Sequence, residues 1–232
     1  MPQLATAGRL CREAGMTKTR IVLIRHGESN VTVQRVLGGP RTCSGLSDLG
    51  KMQAERLRDR LANTQELQCD VLYSSGYPRA KETAEIIAPA LSSLAINIDT
   101  RFGEHDPGPE CDGLTFAEFV RRHGPPDWSA DPHAEFFPGG ETIAQFHSRV
   151  SGALNDLLRK YAGKSVLVAC HGGVVDAVLR LTMQTPATGA FEMHTKNCSI
   201  TELVEVRAGH FALVRYNDHA HLHGLPLATN NS

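Results

Sequence analysis

Two short apolar runs in this chain end in the same way, in a histidine followed by glycine. The first is Ile21-Val22-Leu23-Ile24, leading into Arg25-His26-Gly27-Glu28. The second is Val166-Leu167-Val168-Ala169, leading into Cys170-His171-Gly172-Gly173. Uninterrupted runs of this length read as parallel strands covered on both faces. A buried parallel strand that closes on a polar residue and a glycine delivers a side chain to the carboxyl edge of its sheet, where open α/β proteins bind ligands.

The rest of the pattern agrees with such a sheet. Strands are expected at Arg20–Arg25, Asp70–Ser74, Ala95–Thr100 and Lys164–Cys170, and a closing hairpin pairs Ser199–Val206 with His210–Tyr216 around Ala208-Gly209. Between them lie helical patterns: from Ser47, a good cap, to about Ala62; from Pro78 to Leu91; from Glu141 to Tyr161; and from Gly173 to Met183. Gly50 inside the first helix costs about 1 kcal/mol against alanine, which predicts close packing there. Asn30–Gly45 reads as irregular. The alternation predicts an α/β fold, a three-layer α/β/α sandwich with a mostly parallel central sheet. Residues 105–139, rich in proline and glycine around one short helix near Thr115–Arg122, read as a lid or specificity insertion within a single domain over 19–225.

Composition excludes several classes. The chain has 232 residues and a formal net charge of −1, so nothing favours binding to nucleic acid or an acidic membrane surface. No apolar run reaches the length of a membrane span. Six cysteines lie far apart without a C-x-x-C pair, which suggests reduced thiols and a cytoplasmic setting. Residues 1–18 lack the apolar core of a secretory signal and read as a flexible leader, and 226–232 as a C-terminal tail.

At the presumed ligand edge the chemistry is anionic. Arg25 ends the first strand beside His26, and a half-buried guanidinium calls for an anion such as phosphate. Arg79 sits in the first turn of a helix, where the macrodipole disfavours a cation unless both together hold an anion. His171 precedes a helix start whose free amides face the same way. Phosphate-ester cleavage needs an acid to protonate the leaving oxygen. Glu104, just before the lid segment, is the candidate; Glu28 and Glu110 compete, with Glu28 also suited to bonding its own loop. Trp128, Phe136 and Phe137 either line a pocket or anchor the lid. His219, His221 and His223 alternate as metal ligands can, but no acid or cysteine cluster accompanies them, so no metal is expected. Arg121 and Arg122 read as solvated helix charges.

These residues resemble the histidine phosphatase superfamily, also called the phosphoglycerate mutase-like family. Arg25-His26-Gly27-Glu28-Ser29 is similar to its R-H-G-[ED]-[ST] signature, and Leu46–Ala54 to its L-[ST]-x-x-G-x-x-Q-A stretch. Ser74–Ala84 resembles S-S-x-x-x-R-A-x-x-T-A, and Pro138-Gly139-Gly140-Glu141-Thr142 looks like P-G-G-E-S. Ala169-Cys170-His171-Gly172-Gly173 and Asn197-Cys198-Ser199-Ile200 resemble the second-histidine motif and the last-strand entry.

The resemblance implies that His26 is the nucleophile, that Arg25, Arg79 and His171 form the phosphate pocket, and that Glu104 donates the proton. Asn30 and Gly172 join Arg25, Arg79 and His171 as substrate-binding candidates. The implied activity is a metal-independent phosphomonoesterase, without cofactor, acting on a small phosphorylated metabolite. The alternatives are a cofactor-dependent phosphoglycerate mutase and a non-catalytic phosphate-ester binding protein. A homodimer is compatible with the sequence. The chain departs from the family pattern at Thr32, where asparagine is frequent, and within Arg41–Ser44, where an acidic residue is replaced.

Overall fold

Thr19–Arg25 (β1) is apolar on both of its faces, so successive side chains enter two different cores. Ile21 and Leu23 join one apolar layer, and Val22 and Ile24 the other. In the computed structural model, which describes residues 18–127 and 131–226, this strand lies inside a six-stranded sheet. The remaining strands are Val71–Ser74 (β2), Ile96–Ile98 (β3), Ser165–Cys170 (β4), Ile200–Arg207 (β5) and His210–Asp218 (β6). Their order is β3-β2-β4-β1-β5-β6; β1 to β4 run parallel to one another, β5 pairs antiparallel with β1, and β6 antiparallel with β5. The expected leader falls outside the described residues except for Lys18, as do Trp128 and all of the tail but Pro226.

The helices are Asn30–Val33 (α1), Asp48–Thr64 (α2), Pro78–Ile87 (α3), Gly108–Cys111 (α4), Phe116–His123 (α5), Ile143–Lys160 (α6) and Gly172–Met183 (α7). Residues of α2 and α3 pack on one sheet face, and those of α6 and α7 on the other, which is the expected three-layer arrangement. Among the described residues no helix is long and apolar enough to cross a membrane.

Several boundaries differ from expectation for local reasons. The helix expected to reach Leu91 leaves α-geometry at Ile87 and continues as a 3-10 turn over Ala88–Leu91, because Pro89 has no N–H for the next α-bond. The helix expected from Glu141 starts at Ile143, since Thr142 and Gln145 form a reciprocal capping box. Thr115 and Glu118 form the same box at α5, so Thr115 is the cap rather than the first helical residue. The one-turn helices α1 and α4 fall in stretches whose sequence shows no helical period, because four residues are too few to display one.

Ser47 caps α2 as expected, accepting from the Gly50 amide at 3.0 Å. The close packing expected at Gly50 is present. A Cβ there would lie 1.9 Å from the Glu28 carbonyl oxygen, and one on Gly27 would lie 2.4 Å from the Gly50 oxygen. Glycines thus press α2 against the turn that follows His26. Residues 105–139 contain α4, α5 and a separate small cluster of Cys111, Phe119 and Phe137.

Candidate active site

The two strand–His–Gly endings are neighbours. β1 and β4 pair in register with Arg25 opposite Cys170, and the next amide, His26 N–H, donates to the Cys170 carbonyl at 2.9 Å. Both imidazoles therefore leave the same sheet edge, with ring centroids 5.0 Å apart and planes inclined by 65°. His26 Nδ1 lies 2.6 Å from the Gly27 carbonyl oxygen. Only an N–H can serve that oxygen, so the proton sits on Nδ1 and Nε2 keeps its lone pair. His171 caps α7, and its Nε2 lies 2.7 Å from Ser75 Oγ.

Arg79, from the first turn of α3, joins the two rings: its Nε–H donates to His26 Nε2 at 3.1 Å and to His171 Nδ1 at 3.3 Å. One terminal nitrogen donates to the Gly38 carbonyl at 3.0 Å, and the guanidinium lies 4.6 Å from the Tyr77 ring centroid. Arg25 donates from Nη1 to the Thr195 carbonyl. Its Nε–H is buried without a partner among the described residues, and so is the Thr195 hydroxyl. Both atoms come close to Gly172: a Cβ there would lie 3.5 Å from Arg25 Nε and 3.7 Å from Thr195 Oγ1.

Burial, reinforced by Arg79 and Arg25, holds His26 well below the usual histidine range. His171 is held down by burial first, then by Arg79 and His26. Both rings are neutral at physiological pH, so the guanidiniums carry the site's positive charge. Burial also lowers the Arg25 pKa, with Glu104 opposing that shift. Two cations among neutral imidazoles, partly desolvated, make a strong anion site.

Glu104 follows a 3-10 turn over Thr100–Phe102 and reaches the α7 N-terminus, where one carboxylate oxygen accepts from Gly173 N–H at 3.1 Å. The other oxygen accepts from its neighbour His105 N–H at 3.1 Å. Arg149 fixes this segment by donating to the carbonyls of Arg101, Gly103 and Glu104 and to the Glu141 carboxylate. His26, Arg25, Arg79, Glu104, Gly172 and Gly173 all line one cleft of about 1050 Å³. A larger groove of about 1690 Å³ shares Arg25 but contains neither histidine and no Glu104.

Other candidates lie elsewhere. Asn30 is not brought to the cleft: its amide donates to the Ser44 carbonyl at 3.3 Å, while Thr32 lines the cleft instead. Glu28 is buried and accepts from Ser47 Oγ at 2.8 Å, which ties the turn after His26 to the cap of α2. Glu110, Arg121 and Arg122 are exposed. Phe137 both anchors the 105–139 segment and lines the cleft, and Phe136 packs on the same small cluster. His219 bonds the Asn217 carbonyl and His221 faces Arg60; among the described residues no group of three or more His, Cys, Asp or Glu is placed to hold a metal.

Sequence reasoning missed Ser75, Thr83, Thr195 and Asn197. Thr83 Oγ1 accepts from Gly27 N–H at 3.1 Å, and the Asn197 amide donates to the His26 carbonyl at 2.9 Å. Ser75, Thr83 and Asn197 stand inside the quoted motifs, which leaves a support role open to reading there; Thr195 carries no local signal.

Residues 21–219 match the model of the histidine phosphatase superfamily, branch 1. Curated relatives include phosphoglycerate mutase-like protein 4 of Arabidopsis thaliana, 32% identical over 158 residues, which are 67% of this chain and 67% of the relative. The uncharacterized phosphatase PhoE of Bacillus subtilis is 28% identical over 207 residues, 89% of this chain and 98% of the relative. Among solved structures, Bacillus stearothermophilus YhfR superposes with a TM-score of 0.75 at 27% identity, over 88% of this chain and 99% of that one.

Proposed function

Because this chain belongs to the histidine phosphatase superfamily, we propose that it is a phosphomonoesterase that hydrolyses a small phosphorylated metabolite through a phosphohistidine on His26. The supporting observation is the His26 ring itself. Its Nδ1 proton is committed to Gly27, and its bare Nε2 is presented between two guanidiniums at the mouth of a cleft that also holds Glu104.

In the first step His26 Nε2 forms a bond to phosphorus as the bond from phosphorus to the leaving oxygen breaks, and Glu104 gives its proton to that oxygen. In the second step water attacks phosphorus, Glu104 takes the water proton, and the nitrogen–phosphorus bond breaks to release inorganic phosphate. Arg25, Arg79 and the α7 N-terminus hold the charge that spreads over the phosphoryl oxygens; one such donor is worth about 3–4 kcal/mol of barrier. The Nδ1–H to Gly27 bond keeps the imidazole oriented while Nε2 is phosphorylated, and then supports the cationic ring. These steps call on no metal, and the free, scattered thiols favour a reducing, cytoplasmic setting for them.

The purified protein should release phosphate from phosphomonoesters and trap an acid-labile phosphoryl label, and His26→Ala should abolish both. Normal turnover in that variant would refute the assignment. The name of the Arabidopsis relative keeps a mutase reading in view. Interconversion of 2- and 3-phosphoglycerate faster than phosphate release would establish that reading instead, and tight phosphate-ester binding without turnover or label would establish a non-catalytic one.

A further inference from the structure

Asp112 is an acid that the proposed reaction does not use, and its side chain is wholly buried. It follows the last residue of α4 and lines no part of the cleft that holds His26. A carboxylate taken out of water needs its lone pairs filled. Here one short stretch of chain fills them. Oδ1 accepts from Gly39 N–H at 2.8 Å and from the Thr42 hydroxyl, and Oδ2 accepts from Arg41 N–H at 2.9 Å. Arg41 Nε adds its charge at 3.4 Å, while the other end of that guanidinium lies 3.7 Å from Asp106. The fit is close, since a Cβ on Gly39 would lie 2.6 Å from the Asp112 carboxylate. Residues 38–42 belong to no helix or strand, so the carboxylate gives them the fixity that a ladder gives elsewhere.

The turn held in this way presents one group to the phosphate pocket. The Gly38 carbonyl accepts from Arg79 Nη1 at 3.0 Å, and among the described residues this is the one hydrogen bond that the terminal nitrogens of Arg79 make. The Nε–H serves both imidazoles, and the Tyr77 ring supports the guanidinium at 4.6 Å without giving it a direction in its own plane. The far end of the fork is therefore pinned by Gly38. We propose that Asp112 is a positioning residue for phosphoryl transfer, holding the 38–42 turn so that the Gly38 carbonyl sets the angle of the Arg79 guanidinium. The inference rests on the phosphomonoesterase reading above. The neighbouring backbone strengthens the brace: Gly113 N–H donates to the Leu37 carbonyl and Leu37 N–H to the Leu114 carbonyl, each at 2.8 Å. The 105–139 insertion is thereby tied to the phosphate pocket through an acid that touches neither the rings nor the cleft.

Asp112→Asn keeps the side-chain volume but turns an NH2 group toward one of the two backbone donors, whichever way the amide is placed. In steady-state hydrolysis of p-nitrophenyl phosphate, kcat should fall by about tenfold while KM changes by less than about threefold. A double-mutant cycle separates positioning from scaffolding. If the carboxylate acts through Arg79, Asp112→Asn placed on Arg79→Lys should lower kcat by less than about twofold further. An equal loss of about tenfold in both backgrounds overturns the proposal. Thr42→Val removes one of the three donors and enters the same cycle if Asp112→Asn does not fold, with an expected loss of about threefold that Arg79→Lys again erases. Calorimetric binding of orthophosphate distinguishes the two layers of inference. Asp112→Asn should weaken that binding by about fivefold beside Arg79 and leave it unchanged beside the lysine. That pattern without turnover of the ester by the wild type would sink the hydrolytic reading and leave the positioning role standing. Wild-type hydrolysis with kcat and phosphate affinity untouched by Asp112→Asn would sink the positioning role alone.

Discussion

The Nε–H of Arg79 points at the lone pair of His26 Nε2 across 3.1 Å, and the same proton is shared with His171 Nδ1 at 3.3 Å. The atom proposed to attack phosphorus is thus already hydrogen-bonded in the free protein. When an anion arrives, its oxygens replace the two ring nitrogens as acceptors, and a charge-assisted N–H···O bond is the stronger of the two. In the proposed reaction Arg79 would hold the ring in line until the phosphoryl group enters and then release the lone pair to it.

Lysine at this position keeps the charge but loses the planar fork that reaches both rings and the Gly38 carbonyl. Arg79→Lys is expected to lower kcat by about 10²–10³, the loss typical of one preorganised donor, with a smaller change in KM. Steady-state kinetics on any ester the wild type hydrolyses checks this. A kcat close to wild type would remove Arg79 from the charge-stabilising set.

Gly50 offers a case where helix propensity and packing oppose each other. Alanine there favours the helix by about 1 kcal/mol. Its Cβ, however, would sit 1.9 Å from the Glu28 carbonyl oxygen, which is backbone and cannot swing aside. Overpacking of this kind costs about 1–3 kcal/mol or more, so packing wins. Gly50→Ala should lower the urea-unfolding free energy and also kcat, because Glu28 lies in the turn that carries His26. A stabilised variant with full activity would show that the turn yields freely.

The parts of this site that were legible in the sequence carry local signals. Val22 and Ile24, with Leu167, announce buried strands by their unbroken apolar run, and Ser47 announces a helix start by its type and place. What stayed hidden depends on residues brought together by the sheet. Thr195 meets Arg25 across 170 positions, and Ser75 meets His171 across 96. No period or cap in the chain encodes such a meeting. Asn30, a substrate-binding candidate beside the signature motif, instead opens the one-turn helix α1 with its amide donating to the Ser44 carbonyl.

Five histidines, His26, His105, His147, His171 and His221, are held below the usual histidine range and make stability fall on the acid side of neutrality. Burial and the nearby guanidiniums keep His26 and His171 neutral in the native state, and burial with Arg60 pulls His221 down to about 4. The unfolded chain protonates these groups as pH drops through about 6.5, so it binds more protons than the native state below that point. Stability is unaffected above this value and is lost as pH falls, by up to about 1.4 kcal/mol per pH unit for each histidine. Urea midpoints should decline between about pH 6.5 and about pH 4, and His171→Asn should make the decline shallower by one histidine's share. A flat profile over that interval would mean that the native imidazoles accept protons.

Thr195 and Arg25 turn two buried donors toward the start of α7, where an anion would find both. The Thr195 hydroxyl is buried without a partner among the described residues, as is Arg25 Nε, and both approach Gly172 at the start of α7. A buried hydroxyl left unpaired costs about 1–3 kcal/mol, so this pair weakens the free protein. A phosphate oxygen settled over Gly172 would accept from both atoms at once. Thr195→Val removes the hydroxyl while keeping the side-chain shape and the carbonyl that holds Arg25. Two changes of opposite sense are expected: the free variant should gain about 1 kcal/mol in urea unfolding, and its inhibition by orthophosphate should weaken by about 1 kcal/mol, roughly fivefold in Ki. A variant that loses stability and keeps the wild-type Ki would show that the hydroxyl serves the scaffold and not the anion.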